Sequence, residues 1–404
     1  MSIVPPSLTL GVEEEYLLVD PDSRDLVTSQ PDGFMKACKD RLGDRVGHEL
    51  LQSQIEVGTP VCQDISEVRH ELTKLRRGVA EIADDFGMAM VAASTHPFAR
   101  CKNQTRVENE RYNGLISDLR ALADRMLICG MHVHAAIEDE ELQIDLMNQA
   151  TYFLPHLLAL STSSPFWEGD DTGLKAYRPT CFGDLPRTGL PEYFPSAASW
   201  HEMLSQLAKT GLCPDPSKIW WDIRPSCRFP TLEMRVCDVC TTLEDTVTIA
   251  ALYQAILAAL FRSRSKNQSW RQYRSILIAE NKSLAQRYGI DSTLADFGML
   301  SCKPFGELLD EIIELVQIEA ARWGCLAEVE HARTILKRGT SADRQLDVYT
   351  KARAGGADQE EACRQVVDWL IHESVAGLDK APAAVGHPVT WTETEKEHER
   401  NRVG

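Results

Sequence analysis

The chain has 404 residues, 43% hydrophobic and 25% charged, an ordinary globular composition sufficient for one large domain or two smaller ones. Its formal net charge is −17. That balance argues against a broad nucleic-acid surface or a polybasic membrane anchor, and an anionic nucleotide would need metal ions or clustered arginines to bind here.

In chain order, the opening MSIVPPSLTLGVEEE has no basic n-region and no long apolar run, so no signal peptide is expected and the chain reads as cytoplasmic. Residues 8–19 read as a strand although Glu13, Glu14 and Glu15 interrupt it. A second strand is expected over 50–57. Ile65, Val68, Leu72, Leu75, Val79, Ile82 and Phe86 alternate steps of three and four, which predicts an amphipathic helix over 65–86 capped by Asp64 or Ser66. Further strands are expected at 88–94, 129–137, 219–224 and 230–237. Residues 164–197, rich in Pro, Gly and aromatics, read as a long irregular loop of the kind that often carries function. The segment from Thr241 to Glu244 has capping-box spacing and precedes an apolar run to Phe261. The window Ile249–Phe261 is too short to span a bilayer and reads as a core helix. Another helix is expected over 308–326. No repeat or low-complexity linker divides the chain, so residues 1–375 are expected to form a single domain and 376–404 a polar, poorly ordered tail. The regular β–α alternation of a parallel doubly wound sheet is missing, and an α+β fold with a mainly antiparallel sheet fits better. The twelve scattered cysteines read mostly as small buried hydrophobes, and the lone Cys237–Cys240 pair is a weak metal or redox cue.

Alternation along the strands answers the question of the three glutamates. Side chains point to opposite faces in turn, and same-face neighbours lie roughly 7 Å apart. Glu13 and Glu15 therefore project together with Gly11 beside them, and Glu14 points the other way, to a structural salt bridge or to solvent. Gln52, Gln54 and Glu56 share a face, as do His132 and His134, and Thr231, Glu233 and Arg235. Opposite each set lie apolar residues. A merely wetted face would carry Lys, Ser, Thr and Gln in mixture, whereas these strands offer carboxylates, imidazoles and an arginine. Such donors suit Mg²⁺ or Mn²⁺. Arg224, Arg228 and Arg235 crowd into WWDIRPSCRFPTLEMR, and arginine is the natural bidentate partner of phosphate and carboxylate. Carboxylates, ions and arginines together make a phosphoryl-transfer kit, and no GxxxxGK[ST] loop is present to supply that chemistry otherwise.

The segments GVEEEYLLVD, ASTHPFA, GMHVH, SPFW…DTG…YRP, WWDIRPS…FPTLEMRVCD and ENK…QRYG together resemble the carboxylate–amine ligases of the YbdK type, also called glutamate–cysteine ligase type 2 and related to glutamine synthetase. The resemblance implies a curved, mainly antiparallel sheet with helices on its convex face and ATP and metals on the concave, charged face. It implies one Mg²⁺ on Glu15 and Glu56, and a second on Glu13, His132 and Glu233. Arg224 and Arg235 would contact phosphates or the substrate carboxylate, with Glu233 part of the catalytic set. Asn281 and Arg287 would belong to a substrate and cofactor motif, in which Ser283 departs from the family's aromatic. The implied activity joins the side-chain carboxylate of glutamate or a similar acid to an amine, plausibly cysteine, through an acyl phosphate, with small molecules as partners, no nucleic acid or membrane, and a homodimer as the assembly. A phosphagen-kinase-like guanidino phosphotransfer is the alternative, and a ligand-binding sensor on the same scaffold is a third reading.

Overall fold

Why three adjacent glutamates sit in one strand is settled by what packs on each side of it. The computed structural model describes residues 4–108, 122 and 125–378. Of the expected tail, residues 379–404 lie outside the described residues. The central sheet has seven strands, numbered here along the chain: β1 Leu10–Val19, β2 Val46–His48, β3 Gln54–Gly58, β4 Ala89–Val91, β5 Met131–Ala136, β6 Ile223–Pro225 and β7 Thr231–Met234. Their spatial order is β6-β7-β5-β1-β3-β2, with β4 also pairing β1, and every pairing is antiparallel. Three short two-stranded sheets accompany it.

Helices α1 Phe34–Leu42, α2 Ile65–Asp85, α3 Leu243–Ser265 and α4 Ser275–Tyr288 frame the parts that matter for function. In α2 the apolar positions read from the sequence, Ile65 to Ile82, are buried, and Asp64 caps the helix by accepting the Glu67 N–H at 2.9 Å. The α3 helix extends beyond the apolar window seen in the sequence and is long and apolar enough to cross a membrane by length and composition alone. Here it lies in the core. Tyr253 Oη donates to the Leu232 carbonyl at 3.1 Å and Gln254 Nε2 to the Leu8 carbonyl at 2.9 Å, tying α3 to the sheet. Its N-cap is Thr242, one residue later than the capping-box spacing suggested, because the Thr241 hydroxyl is taken by Ser341 at 2.6 Å.

Other boundaries shifted for tertiary reasons. The expected 219–224 strand divides at Asp222: Trp220–Trp221 pairs in parallel with Thr188–Gly189, while β6 joins the central sheet. The expected 308–326 helix spans Phe305–Arg322, and a turn at Gly324 separates it from Leu326–Arg338. The 164–197 segment is organised rather than structureless. It contains the Phe166–Trp167/Asp170–Asp171 hairpin and the helix Arg178–Gly183. Nine cysteines are buried and none is disulfide-bonded, Cys237 and Cys240 included.

Leu10, Val12, Glu14 and Tyr16 of β1 face the helices and are buried, whereas Gly11, Glu13 and Glu15 face the other way. Glu14 forms a bidentate ion pair with Arg76 of α2: Nη2 to Oε1 at 2.5 Å and Nε to Oε2 at 2.9 Å, both side chains fully buried. Tyr16 and Thr246 donate to the same carboxylate, and Arg76 also donates to the Thr241 and Cys240 carbonyls. Burial pushes the Glu14 carboxyl up, but the Arg76 charge and these hydrogen bonds outweigh it and hold it below its ordinary 4.5. Because the folded value is depressed, this stabilisation is present above about pH 4.5 and lost as pH falls below it. Glu14→Gln leaves a buried guanidinium without its counter-charge and is expected to cost roughly 3–5 kcal/mol at pH 7. Urea unfolding at pH 7 and pH 3.5 checks this: the gap between parent and variant should narrow at the lower pH.

Candidate active site

On the face of the sheet opposite α2 and α3, the register brings the ionisable positions of separate strands side by side. Glu15 pairs with Glu56 across β1 and β3, Glu13 with His132 across β1 and β5, His134 with Glu233 across β5 and β7, and Glu233 with Arg224 across β7 and β6. These side chains line a cavity of about 340 Å³ together with Glu49, Arg178, Lys218, Trp220, Arg228, Phe229 and Arg235. Gly11 stands opposite His134 and Gly58 opposite Glu13, so on one side of each ligand the neighbouring strand presents no side chain.

Two groups of potential metal donors emerge among the described residues. In one, Glu13, His134 and Glu233 each offer an atom within 4.8 Å of the others; in the second, Glu15, Glu49 and Glu56 do so. This grouping contains His134, whereas the resemblance implied His132, which lines the cavity beside it. The reason is register: Glu233 lies opposite His134, while His132 bonds Glu13 at 3.0 Å and approaches Arg235 at 3.5 Å. The Nε2 atoms of both histidines are buried, that of His134 facing Glu13 Oε1 at 3.6 Å, and His134 Nδ1 is engaged by Thr231 at 3.0 Å. An imidazole fixed through one nitrogen with the other turned towards a carboxylate is an arrangement a divalent cation can share, and the carboxylate-rich surroundings suit Mg²⁺ or Mn²⁺.

The charges are set by their neighbours. Burial raises the Glu13 carboxyl, but hydrogen bonding and charge from His132 and His134 more than reverse this and hold it well below the usual range. Burial, with Arg235 nearby, brings His132 down to about 4, so its ring is neutral at pH 7. Glu233 is held down to about 2, because Arg235 and Arg224 overcome its desolvation. The second group behaves in the opposite way. Burial pushes Glu56 well up, reinforced by the charges of Glu49, Glu13 and Glu15, and burial also raises Glu15 against the opposing pull of Arg178.

Of the residues singled out from the sequence, Glu13, Glu15, Glu56, His132, Arg224, Glu233 and Arg235 all line the cavity. Arg224 is largely spent on protein acceptors: Nε reaches Glu233 at 3.1 Å, and Nη1 donates to the Ser217 and Ile219 carbonyls at 2.9 and 2.5 Å. Arg235 pairs with Glu233 from the other side. Asn281 and Arg287 are not brought to the cavity. The Asn281 amide is used at both ends on the Ala295 backbone, at 2.8 and 2.9 Å, and Arg287 is exposed in the last turn of α4. The neighbouring Lys282 pairs with Asp222 at 2.6 Å and lines a small separate pocket that shares Arg178 and Arg235 with the cavity. Glu49 was not legible, since it precedes β3 and falls outside any strand alternation. Arg178 belongs to the YRP segment, but nothing in its spacing marked a role.

The sequence pattern of glutamate–cysteine ligase family 2 matches residues 9–368. The chain belongs to that family. A relative from Rhodospirillum rubrum, provisionally named glutamate–cysteine ligase 2, is 52% identical and covers 94% of this chain and 99% of its own length. One of the same provisional name from Jannaschia sp. is 49% identical over 90% of this chain and 96% of its own. In fold, the chain is similar to the glutamate–cysteine ligase of Francisella tularensis solved with AMP, with a TM-score of 0.64, 13% identity, and coverage of 91% and 89% of the two chains. It is also similar to a bifunctional glutathione synthetase from Pasteurella multocida, with a TM-score of 0.62, 15% identity, and coverage of 91% of this chain and 52% of that one. As a member of glutamate–cysteine ligase family 2 the protein is an enzyme of the ligase class, and its mixed fold of helices and a mainly antiparallel sheet is that of these ligases. The membership favours ligation over the guanidino phosphotransfer weighed from the sequence.

If Glu49 completes the Glu15–Glu56 group, Glu49→Gln should raise the Mn²⁺ dissociation constant of that group by about tenfold, or ~1.4 kcal/mol. Titration of Mn²⁺ followed by electron paramagnetic resonance checks this, and an unchanged constant would remove Glu49 from the ligand set.

Proposed function

We propose that the protein is an ATP-dependent carboxylate–amine ligase that activates the side-chain carboxylate of glutamate, or of a similar acid, and couples it to an amine such as that of cysteine. The observation carrying this reading is the cross-strand register that draws Glu56, Glu15, Glu13, His134, Glu233 and Arg224 onto one cavity-facing surface in a chain of this family. The AMP bound to the Francisella relative supports a nucleotide as co-substrate.

A carboxylate is too poor an electrophile for an amine at neutral pH. In the proposed sequence its oxygen attacks the γ-phosphorus of ATP, the bond to the bridging oxygen breaks, and ADP leaves. The acyl phosphate is then attacked at carbon by the amine nitrogen, which loses a proton as inorganic phosphate departs and the amide forms. Divalent ions held by Glu13, His134 and Glu233, and by Glu15, Glu49 and Glu56, would neutralise phosphate charge. The protein's own groups hold the geometry. Arg224 and Arg235 fix the Glu233 carboxylate from both sides and keep it ionised. His132 keeps Glu13 oriented through its Nδ1 contact. Positioning and charge neutralisation are the forms of catalysis such a wall of fixed dipoles and charges supplies.

Purified protein incubated with ATP, Mg²⁺ and a panel of acids and amines, read by phosphate release and by the mass of the conjugate, tests the reaction. ADP formation should require both an acid and an amine; formation with a guanidine alone would overturn the reading. Glu233→Gln should keep the parent's circular dichroism spectrum and lose turnover by roughly 10²-fold or more, the scale expected when a transition-state electrostatic partner is removed. A variant running at the parent rate would show that Glu233 is not part of the machinery.

A further inference from the structure

We propose that Arg178 is an oxyanion-binding residue of this cavity, receiving a phosphate or carboxylate oxygen of a substrate on guanidinium donors that the protein leaves unused. The proposal rests on the ligase reading and assigns that site an anion contact which the sequence had given to other arginines.

Arg178 opens the helix Arg178–Gly183, lines the cavity and is only 4% exposed. Its Nη1 donates to the carbonyls of Arg235 and Cys237, each at 3.2 Å. Among the described residues, Nε and Nη2 have no hydrogen-bond acceptor, and Glu15 and Asp238 feel the guanidinium's charge without an ion-pair contact to it. A buried arginine has five donors that are costly to desolvate without acceptors. Arg76 shows the ordinary solution, with a bidentate carboxylate and backbone carbonyls on the same guanidinium. Of the two arginines beside it, Arg224 is spent on Glu233 and backbone carbonyls, and Arg235 pairs with Glu233 through Nη1 while its Nε is buried without an acceptor.

The seat of Arg178 is built. A Cβ placed on Gly130 would fall 2.3 Å from Arg178 Nη2 and 2.8 Å from Cζ, so the guanidinium lies directly against the backbone of residue 130. Gly130 does not adopt a left-handed conformation, so close approach, not backbone freedom, accounts for the glycine. The same residue donates its N–H to Glu15 Oε2 at 2.6 Å. The Phe182 ring supports the cation from 5.6 Å. The Arg178 main chain is fixed as well: its N–H donates to Ser164 Oγ at 3.1 Å, and that hydroxyl donates to buried Asp238 at 2.7 Å. The SPFW, YRP and VCD segments thus converge to hold one guanidinium rigidly at the floor of an acidic cavity. In a pocket walled by Glu13, Glu15, Glu49, Glu56 and Glu233, a preorganised cation with free donors is what an incoming oxyanion needs beyond the metals.

Two substrate sources share this chemistry, the nucleotide phosphates and the carboxylate of the acid or amine. Full-length parent, Arg178→Met, Arg178→Lys and Gly130→Ala are titrated calorimetrically with Mg·ADP and, separately, with glutamate, alongside KM and kcat and thermal unfolding. Loss of a charge-assisted hydrogen bond should weaken one of the two ligands by roughly 10- to 100-fold in Arg178→Met. Weakening of Mg·ADP assigns the phosphate, and weakening of glutamate the carboxylate. Arg178→Lys should recover part of the affinity, melting temperatures should stay within about 3 °C of the parent, and Gly130→Ala, which denies the guanidinium its seat, should reproduce the Arg178→Met pattern. The two substitutions combined should lose no more than either alone. Parent-like affinity for both ligands in Arg178→Met would overturn the proposal. So would a lowered melting temperature with unchanged affinities, which would mark a structural arginine. Neither titration requires turnover, so a parent that binds these ligands but fails to ligate them would count against the ligase reading and leave this test intact.

Discussion

The bidentate pair between Glu14 and Arg76 fastens β1 to α2, and through Thr246 and the Thr241 and Cys240 carbonyls it ties both to the start of α3. Burying two charges is expensive, and as a source of stability alone an apolar pair would serve as well. What the pair adds is position. A strand shifted by one residue exchanges its faces. Were β1 to slip, Glu13 and Glu15 would turn into the helix layer and Glu14 into the cavity, leaving Arg76 unmatched. The residue that looks least functional of the three glutamates is therefore the one that holds the other two in place.

From that registration the electrostatics of the cavity follow. The two donor groups differ in how their charge is met. Glu13, His134 and Glu233 are accompanied by Arg224, Arg235 and a second imidazole, so the carboxylates there remain ionised. Burial raises the Glu15 and Glu56 carboxyls, and repulsion from neighbouring carboxylates adds to it at both, opposed by Arg235 at each and, at Glu15, by Arg178 and the Gly130 N–H. A cation entering the second group would gain more from the protein than one entering the first, where arginines already compete for the same carboxylates.

Much of this was legible because strands have a short, rigid period. The two-residue alternation in GVEEEY, GMHVH and FPTLEMR separates core from cavity without knowledge of the partner strands, and the 3.6-residue pattern of α2 needs none either. What alternation cannot give is which residues stand opposite each other. His132 and His134 share a face, and only the pairing of β5 with β7 decides that Glu233 meets His134. Glu49 and Arg178 were invisible for a related reason: both sit outside regular strands, where position comes from tertiary packing and not from local repeat. Asn281 illustrates the converse, since a motif residue can owe its identity to a hydrogen-bonding bracket on the Ala295 backbone instead of to a ligand.

The strands at the two rims of the sheet, β2 and β6, are only three residues long, and β6 ends in Pro225. Exposed strand borders invite other chains to add themselves, and brevity together with a missing amide hydrogen discourages such growth. The shortness of both borders limits how far another chain could extend this charged sheet edge to edge.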